Sequence, residues 1–178
     1  MLRSTIPIKS TLSTIRSLHT TTPRLSASIL HNLYDTSDRP PLSVAKLTPR
    51  GFHLSDGLVV PGGLIFLDGR ALLWDVDPPK GDGGEGVEEA WSGWDKDRFL
   101  VFEKVVPRPE ILLLGTGLRV IPPPQRIKDY VSGLGIQLDV MDSRNAASTF
   151  NLLSEEGRTV GAALCPLSPI DPRTGGRR

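Results

Sequence analysis

The sequence predicts an α/β domain built on one sheet with helical crossovers. Two observations carry this. After residue 110 the chain alternates strand, helix, strand, helix, strand, the pattern of a sheet whose neighbouring strands are joined by helices. Before it, short apolar runs are separated by Asp-Gly turns, the pattern of hairpins. A chain of 178 residues is long enough for one such domain with a real core.

Each element has its own signal. "GFHL" and "GLVV" flank Ser55-Asp56-Gly57 and predict a first hairpin. Residues 64–67 and 71–76 flank Asp68-Gly69 and predict a second. Their runs are mostly apolar rather than alternating, as expected of strands covered on both faces. Residues 78–96 interrupt the pattern with Gly and acids, and are expected to be a flexible surface loop inserted in the domain. Trp91 and Trp94 are its odd members. A lid packing back on the core is favoured over an anchor for a partner.

"DRFLVFEKVV" predicts a short helix capped by Asp97 and stopped near Pro107 and Pro109. "EILLLGTG" is the strongest strand, wholly apolar over 111–114 and running into Gly115, Thr116 and Gly117. The prolines of "PPPQRIKDYVSGLG" suit a helix entrance. Ile127, Tyr130, Val131 and Leu134 then fall on one helical face, with Gly133 or Gly135 as the stop. "IQLDVM" is a short strand. Asp142 caps the next helix, starting at Ser143, by accepting backbone N–H bonds. Ala146, Phe150 and Leu153 give that helix its buried face, and Gly157 takes the position after its end. "RTVGAALCPL" closes the domain as its last strand. The domain is expected over 43–167, with a C-terminal tail at 168–178.

Composition narrows the chemistry. The single cysteine, Cys165, rules out an intrachain disulfide and any cysteine-rich zinc or iron–sulfur site within one chain. Residues 1–34 hold Arg3, Lys9, Arg16 and Arg24 and no acid. The remainder keeps 17 of the 21 basic residues against all 20 acidic ones, a net of −3. A body of that charge has no nucleic-acid or anionic-membrane footprint. No run approaches the roughly 20 apolar residues of a spanning helix.

Catalytic patterns are incomplete. Gly115, Thr116 and Gly117 end a buried strand, but a dinucleotide fingerprint needs a glycine where Val120 stands. A turn needing backbone freedom is the simpler reading. His19, His31 and His53 do not cluster, so no metal set forms. Ser143, Ser148 and Thr149 lack a Gly-x-Ser-x-Gly frame and a nearby histidine. No catalytic residue, metal or cofactor is assigned. The candidate site is the edge formed by Gly115, Thr116, Gly117, Asp142, Ser143, Arg144 and Asn145. It is read first as a protein recognition edge. The alternative is a small-molecule or nucleotide pocket in which Thr116, Ser143, Arg144 and Asn145 hold an anion, since α/β sheets place ligands at strand ends.

The first residues are expected to be an address. "MLRSTIPIKSTLSTIRSLHTTTPRLSAS" is rich in Ser and Thr, has spaced basic residues and lacks acids, the composition of a mitochondrial transit peptide. "RSLHTTTPRL" resembles a two-step matrix processing site, which places the mature start between Leu18 and Ser26. The transit peptide is assigned to 1–26 and a linker to 27–42.

The segment from "EILLLGTG" to "MDSRNAASTFNLLSEEGRTVGAAL" resembles a small α/β family once labelled a domain of unknown function, whose mitochondrial members are complex I (NADH dehydrogenase) assembly factor 3. The carrying residues are Gly115, Thr116 and Gly117; Asp142, Ser143, Asn145 and Ala146; Thr149, Phe150, Asn151 and Leu153; Glu156, Gly157 and Arg158; and Ala162, Ala163 and Leu164. The resemblance extends over about 43–166 and is looser in its first part. Ala147 stands where many relatives have cysteine, so a cysteine-based activity at that position is excluded here.

The resemblance implies a three-layer β/β/α domain, with a central mixed sheet, additional β-hairpins on one side and helices on the other. It also implies a non-enzymatic matrix protein that acts in early assembly of the peripheral arm and quinone module of complex I. Expected partners are a second complex I assembly factor and early complex I subunits, with inner-membrane association through them, no nucleic acid and no transmembrane segment. A chain lacking residues 1–26 is expected to stay in the cytosol. Fractionation of cells expressing it checks this, and continued import would overturn the transit-peptide assignment.

Overall fold

Five strands of a mixed sheet organise the domain in the computed structural model, in the order β5-β4-β8-β6-β7. Residues 42–81 and 86–178 are described, all within one compact unit that runs over Ser37–Arg178. The expected transit peptide, and the expected linker up to Pro41, lie outside the described residues.

The middle strands are those with the most continuous apolar runs. β4 (Gly63–Leu67) and β8 (Val160–Leu164) are buried throughout, and β6 (Ile111–Gly115) is buried at four of five positions. β6 runs parallel to β8 and to β7 (Gln137–Met141), as helical crossovers require. β4 runs antiparallel to β8 and to β5 (Arg70–Trp74), with the Asp68-Gly69 turn between β4 and β5 as the sequence predicts. A second sheet joins β1 (Val44–Thr48), β2 (Gly51–Leu54) and β3 (Val59–Pro61) in antiparallel order. β1 was not legible in advance: its burial is mixed, and Lys46 interrupts it.

The absence of alternation in β4, β6 and β8 has a direct cause. Successive side chains point to opposite faces, and both faces are covered. Leu64, Phe66, Leu113, Ala162 and Leu164 meet Phe52, Leu54 and Val60 of the small sheet, with Ala146, Ala147 and Phe150 of α4 (Ser143–Glu155). Phe66 and Phe150 stack with ring centres 4.4 Å apart. Ile65, Leu67, Leu112, Leu114 and Ala163 face the other way. They meet Ile127 and Val131 of α3 (Gln125–Gly133) and an aromatic group of Trp74, Trp91, Trp94, Phe99 and Phe102. The central sheet, hairpin sheet and helical cover match the expected architecture, with α4 sharing the small sheet's face.

The lid reading of Trp91 and Trp94 holds. They are 0% and 4% exposed and meet edge-on at 4.7 Å. The described end of the inserted loop is ordered by them, with α1 (Val87–Ala90) leading into Trp91. Arg126 fastens this lid to α3: its guanidinium donates to the carbonyls of Trp91 (3.3 Å) and Trp94 (3.1 Å) and pairs with Glu88. The expected cap at Asp97 is corrected. α2 (Leu100–Lys104) follows a 3₁₀ turn, Lys96–Phe99, that contains Asp97, and neither has a side-chain cap. Burial of Phe99 against Trp74 sets the path of this turn. The expected tail is also ordered in part: Ile170 bridges Arg177, and Arg178 pairs with Asp75 and Asp77.

Asn151 joins the two layers on the small-sheet face. Its amide oxygen accepts from the Val44 N–H and its amide nitrogen donates to the Val44 carbonyl, each at 2.9 Å. The side chain thus acts as a strand neighbour for β1. Asn151→Ala is expected to leave both groups of Val44 without that partner, at a cost of about 1–3 kcal/mol. A thermal melt checks it, with an expected fall in Tm of roughly 3–8 °C.

Candidate functional site

The candidate edge forms where β6 and β7 end and α4 begins. Apolar burial drives β6 through the core, and glycine lets its end come close to its neighbours. A Cβ on Gly115 would lie 2.8 Å from both Cα and Oγ of Ser143, too close for any side chain. Gly117 has φ 101°, where a side chain is strained, and a Cβ there would lie 3.0 Å from Pro78. The sequence reading of a turn that needs backbone freedom agrees with this geometry.

Ser143 ties the two loops together. Its N–H donates to the Gly117 carbonyl at 2.9 Å. Its hydroxyl accepts from the Gly117 N–H at 2.8 Å and donates to the Cys165 carbonyl at 2.6 Å. The residue is fully buried. Thr116 is also buried, and its hydroxyl donates to the Arg119 carbonyl at 2.6 Å while accepting from the Ile121 N–H at 3.1 Å. The Thr116 N–H donates to the Met141 carbonyl at 3.0 Å. Both hydroxyls are therefore used as donor and acceptor inside the protein.

Asp142 is the helix cap the sequence predicts. One carboxylate oxygen accepts from the backbone N–H groups of Arg144 and Asn145, each at 3.0 Å, and the other from the Asn145 side chain. Capping places an acid at the positive end of the α4 dipole. The structure thus brings all seven candidate residues to one edge but divides them. Gly115, Thr116, Gly117 and Ser143 are interior; Arg144 and Asn145 are exposed. Leu118 and Val120, which follow Gly117 in the chain, are 69% and 50% exposed. These two apolar residues carried no periodic signal in the sequence.

Burial pushes the Cys165 thiol well above the usual thiol range. Position 147 lies in the core, at 4% exposure, so a side chain there packs rather than reaching solvent. Among the described residues no group of three or more His, Cys, Asp or Glu could hold a metal ion. No described helix is long and apolar enough to cross a membrane. A cleft of about 460 Å³ lies elsewhere, between the 3₁₀ turn and α3, lined by Asp95, Asp97, Arg126 and Tyr130 among others.

Ser143→Ala is expected to strand the Gly117 N–H and the Cys165 carbonyl and to cost about 2–4 kcal/mol. Arg144→Ala, on the exposed side of the same helix turn, is expected to stay within about 0.5 kcal/mol. Urea denaturation of both variants checks the contrast.

Known proteins share this architecture. A human protein named NADH dehydrogenase (ubiquinone) 1 alpha subcomplex assembly factor 3 is 41% identical over 117 residues, which is 66% of this chain and 56% of that one. The zebrafish protein of the same name is 34% identical over 119 residues, 67% of this chain and 61% of its own. The chain therefore spans about three fifths of these relatives. A solved Bordetella pertussis structure, described as a Mth938-like domain, superposes with a TM-score of 0.56 at 20% identity, over 76% of this chain and 92% of that one. It shows the fold alone. The family described as "Protein of unknown function (DUF498/DUF598)" matches residues 44–165, the whole of the two-sheet domain up to the Ser143-bound Cys165, and the chain belongs to it.

Proposed function

We propose that the protein is an assembly factor for mitochondrial complex I that works by protein–protein contact and not by catalysis. The observation that carries this reading is the likeness, at 34–41% identity, to human and zebrafish proteins named as NADH dehydrogenase assembly factors. The chemistry of the candidate edge supports it. Thr116 and Ser143 spend their hydroxyls on structure, so a small ligand at that edge would meet chiefly Arg144 and Asn145. A partner protein, by contrast, would meet Leu118 and Val120 as an apolar centre with polar groups around it, the usual anatomy of an interface.

In this reading the acid-free N-terminal segment directs the chain to the matrix. Partners hold it at the inner membrane: a second assembly factor and early subunits of the quinone-binding module. Two experiments test it. Deletion of the gene is expected to lower assembled complex I on native gels while other respiratory complexes stay near normal; normal complex I in the deletion strain would overturn the reading. Re-expression of a Leu118→Asp, Val120→Asp chain is expected to restore the protein, folded by circular dichroism, without restoring complex I. Full rescue would remove this surface from the interface.

A further inference from the structure

The C-terminal turn and the β1–β2 turn together form a cleft that the assembly-factor reading does not use. The cleft has a volume of about 450 Å³, within the range of small-molecule sites, and Arg50, Ser168, Thr174 and Arg177 are among its lining residues. Arg50 stands in the turn between β1 and β2, and Arg177 near the chain end.

Among the described residues, no carboxylate lines this cleft. Three acids of this region are already engaged. Arg178 takes Asp75 and Asp77. The Asp171 carboxylate accepts from the Arg173 N–H at 2.8 Å, which helps hold it below the usual carboxylate range. Arg50 and Arg177 make no side-chain hydrogen bond or ion pair with any described residue. Among the described residues, two guanidiniums share one cleft without a carboxylate partner, in a body that carries more acids than bases.

The frame around them is held in place. The Asp171 N–H donates to the Gly176 carbonyl (2.9 Å), and the Gly175 N–H to the Asp171 carbonyl (2.8 Å). The Gly176 N–H donates to the Thr174 hydroxyl at 3.2 Å. Ser168 ties this segment to the first by donating to the Pro49 carbonyl at 3.1 Å, next to Arg50. With the turn's own polar groups occupied, the two guanidiniums are what the cleft offers a ligand. We propose that this cleft binds a multivalent oxyanion, a phosphoryl or carboxylate compound, between Arg50 and Arg177. The guanidinium fork matches both groups and accepts them in bidentate geometry.

Inorganic pyrophosphate and citrate are the probes, each titrated into the folded protein at constant ionic strength and followed by thermal shift and calorimetry. A saturable rise in Tm of a few degrees is expected for at least one of them. The stronger binder identifies which oxyanion the cleft takes. Arg50→Gln and Arg177→Gln are each expected to weaken binding roughly tenfold or more, and the double variant to abolish it. The ligand-free Tm should not move, because neither guanidinium supports the fold. Arg144→Gln, at the other candidate edge, is expected to bind as the parent does. Absence of a saturable response to both probes, binding that survives the double substitution, or binding lost in Arg144→Gln would each overturn the proposal.

Discussion

The Ser143 hydroxyl sits where three segments meet: the end of β6, the start of α4 and the end of β8. It accepts from Gly117 and donates to Cys165 in a space with no solvent. Leaving either backbone group unpaired there would cost about 1–3 kcal/mol. The contact is possible only because Gly115 has no side chain, since a Cβ would collide with Ser143 itself. Much of the remaining architecture follows from this knot. It sets where α4 begins, and so which residues of α4 face the small sheet.

A sheet buried on both faces needs two covers, and the protein builds them differently. On one face the small sheet and α4 share the work, joined by the Asn151 amide pairing with Val44. On the other, α3 is too short to cover five strands, and an aromatic lid completes the layer. Arg126 binds that lid through two carbonyls, so one exposed side chain holds a substantial apolar surface in place. Backbone carbonyls and apolar contact do this work.

The polar residues that draw attention in the sequence divide sharply once folded. Asp142 and Ser143 serve the backbone, as does Thr116. A molecule arriving at the edge would find these groups already engaged. The edge instead offers solvent Leu118, Val120, Arg144 and Asn145 on a rigid base.

Much of the fold was legible because local rules were strong. Ile111 to Leu114 form an apolar run that belongs inside a sheet. Asp142 and Gly157 bracket α4, and Ile127 and Val131 mark the buried face of α3. These follow from periodicity and capping, which act over a few residues. The path around Asp97 was misread because the burial of Phe99 against Trp74 outweighs a local cap preference. β1 was missed because its place depends on Asn151, which lies 107 positions away.

The candidate edge followed the same division. Its seven residues were legible from strand ends and a cap, and the family from its residue pattern. Which of them face solvent was not. By itself the sequence determined most of the elements, the Asp-Gly turns and the family, because those depend on neighbours along the chain. Only the tertiary structure decided that Thr116 and Ser143 are interior, that Trp91 and Trp94 close the second face, and that Arg50 and Arg177 share a cleft. Each of these depends on contacts between segments far apart in sequence, and burial and hydrogen bonding are settled by those contacts.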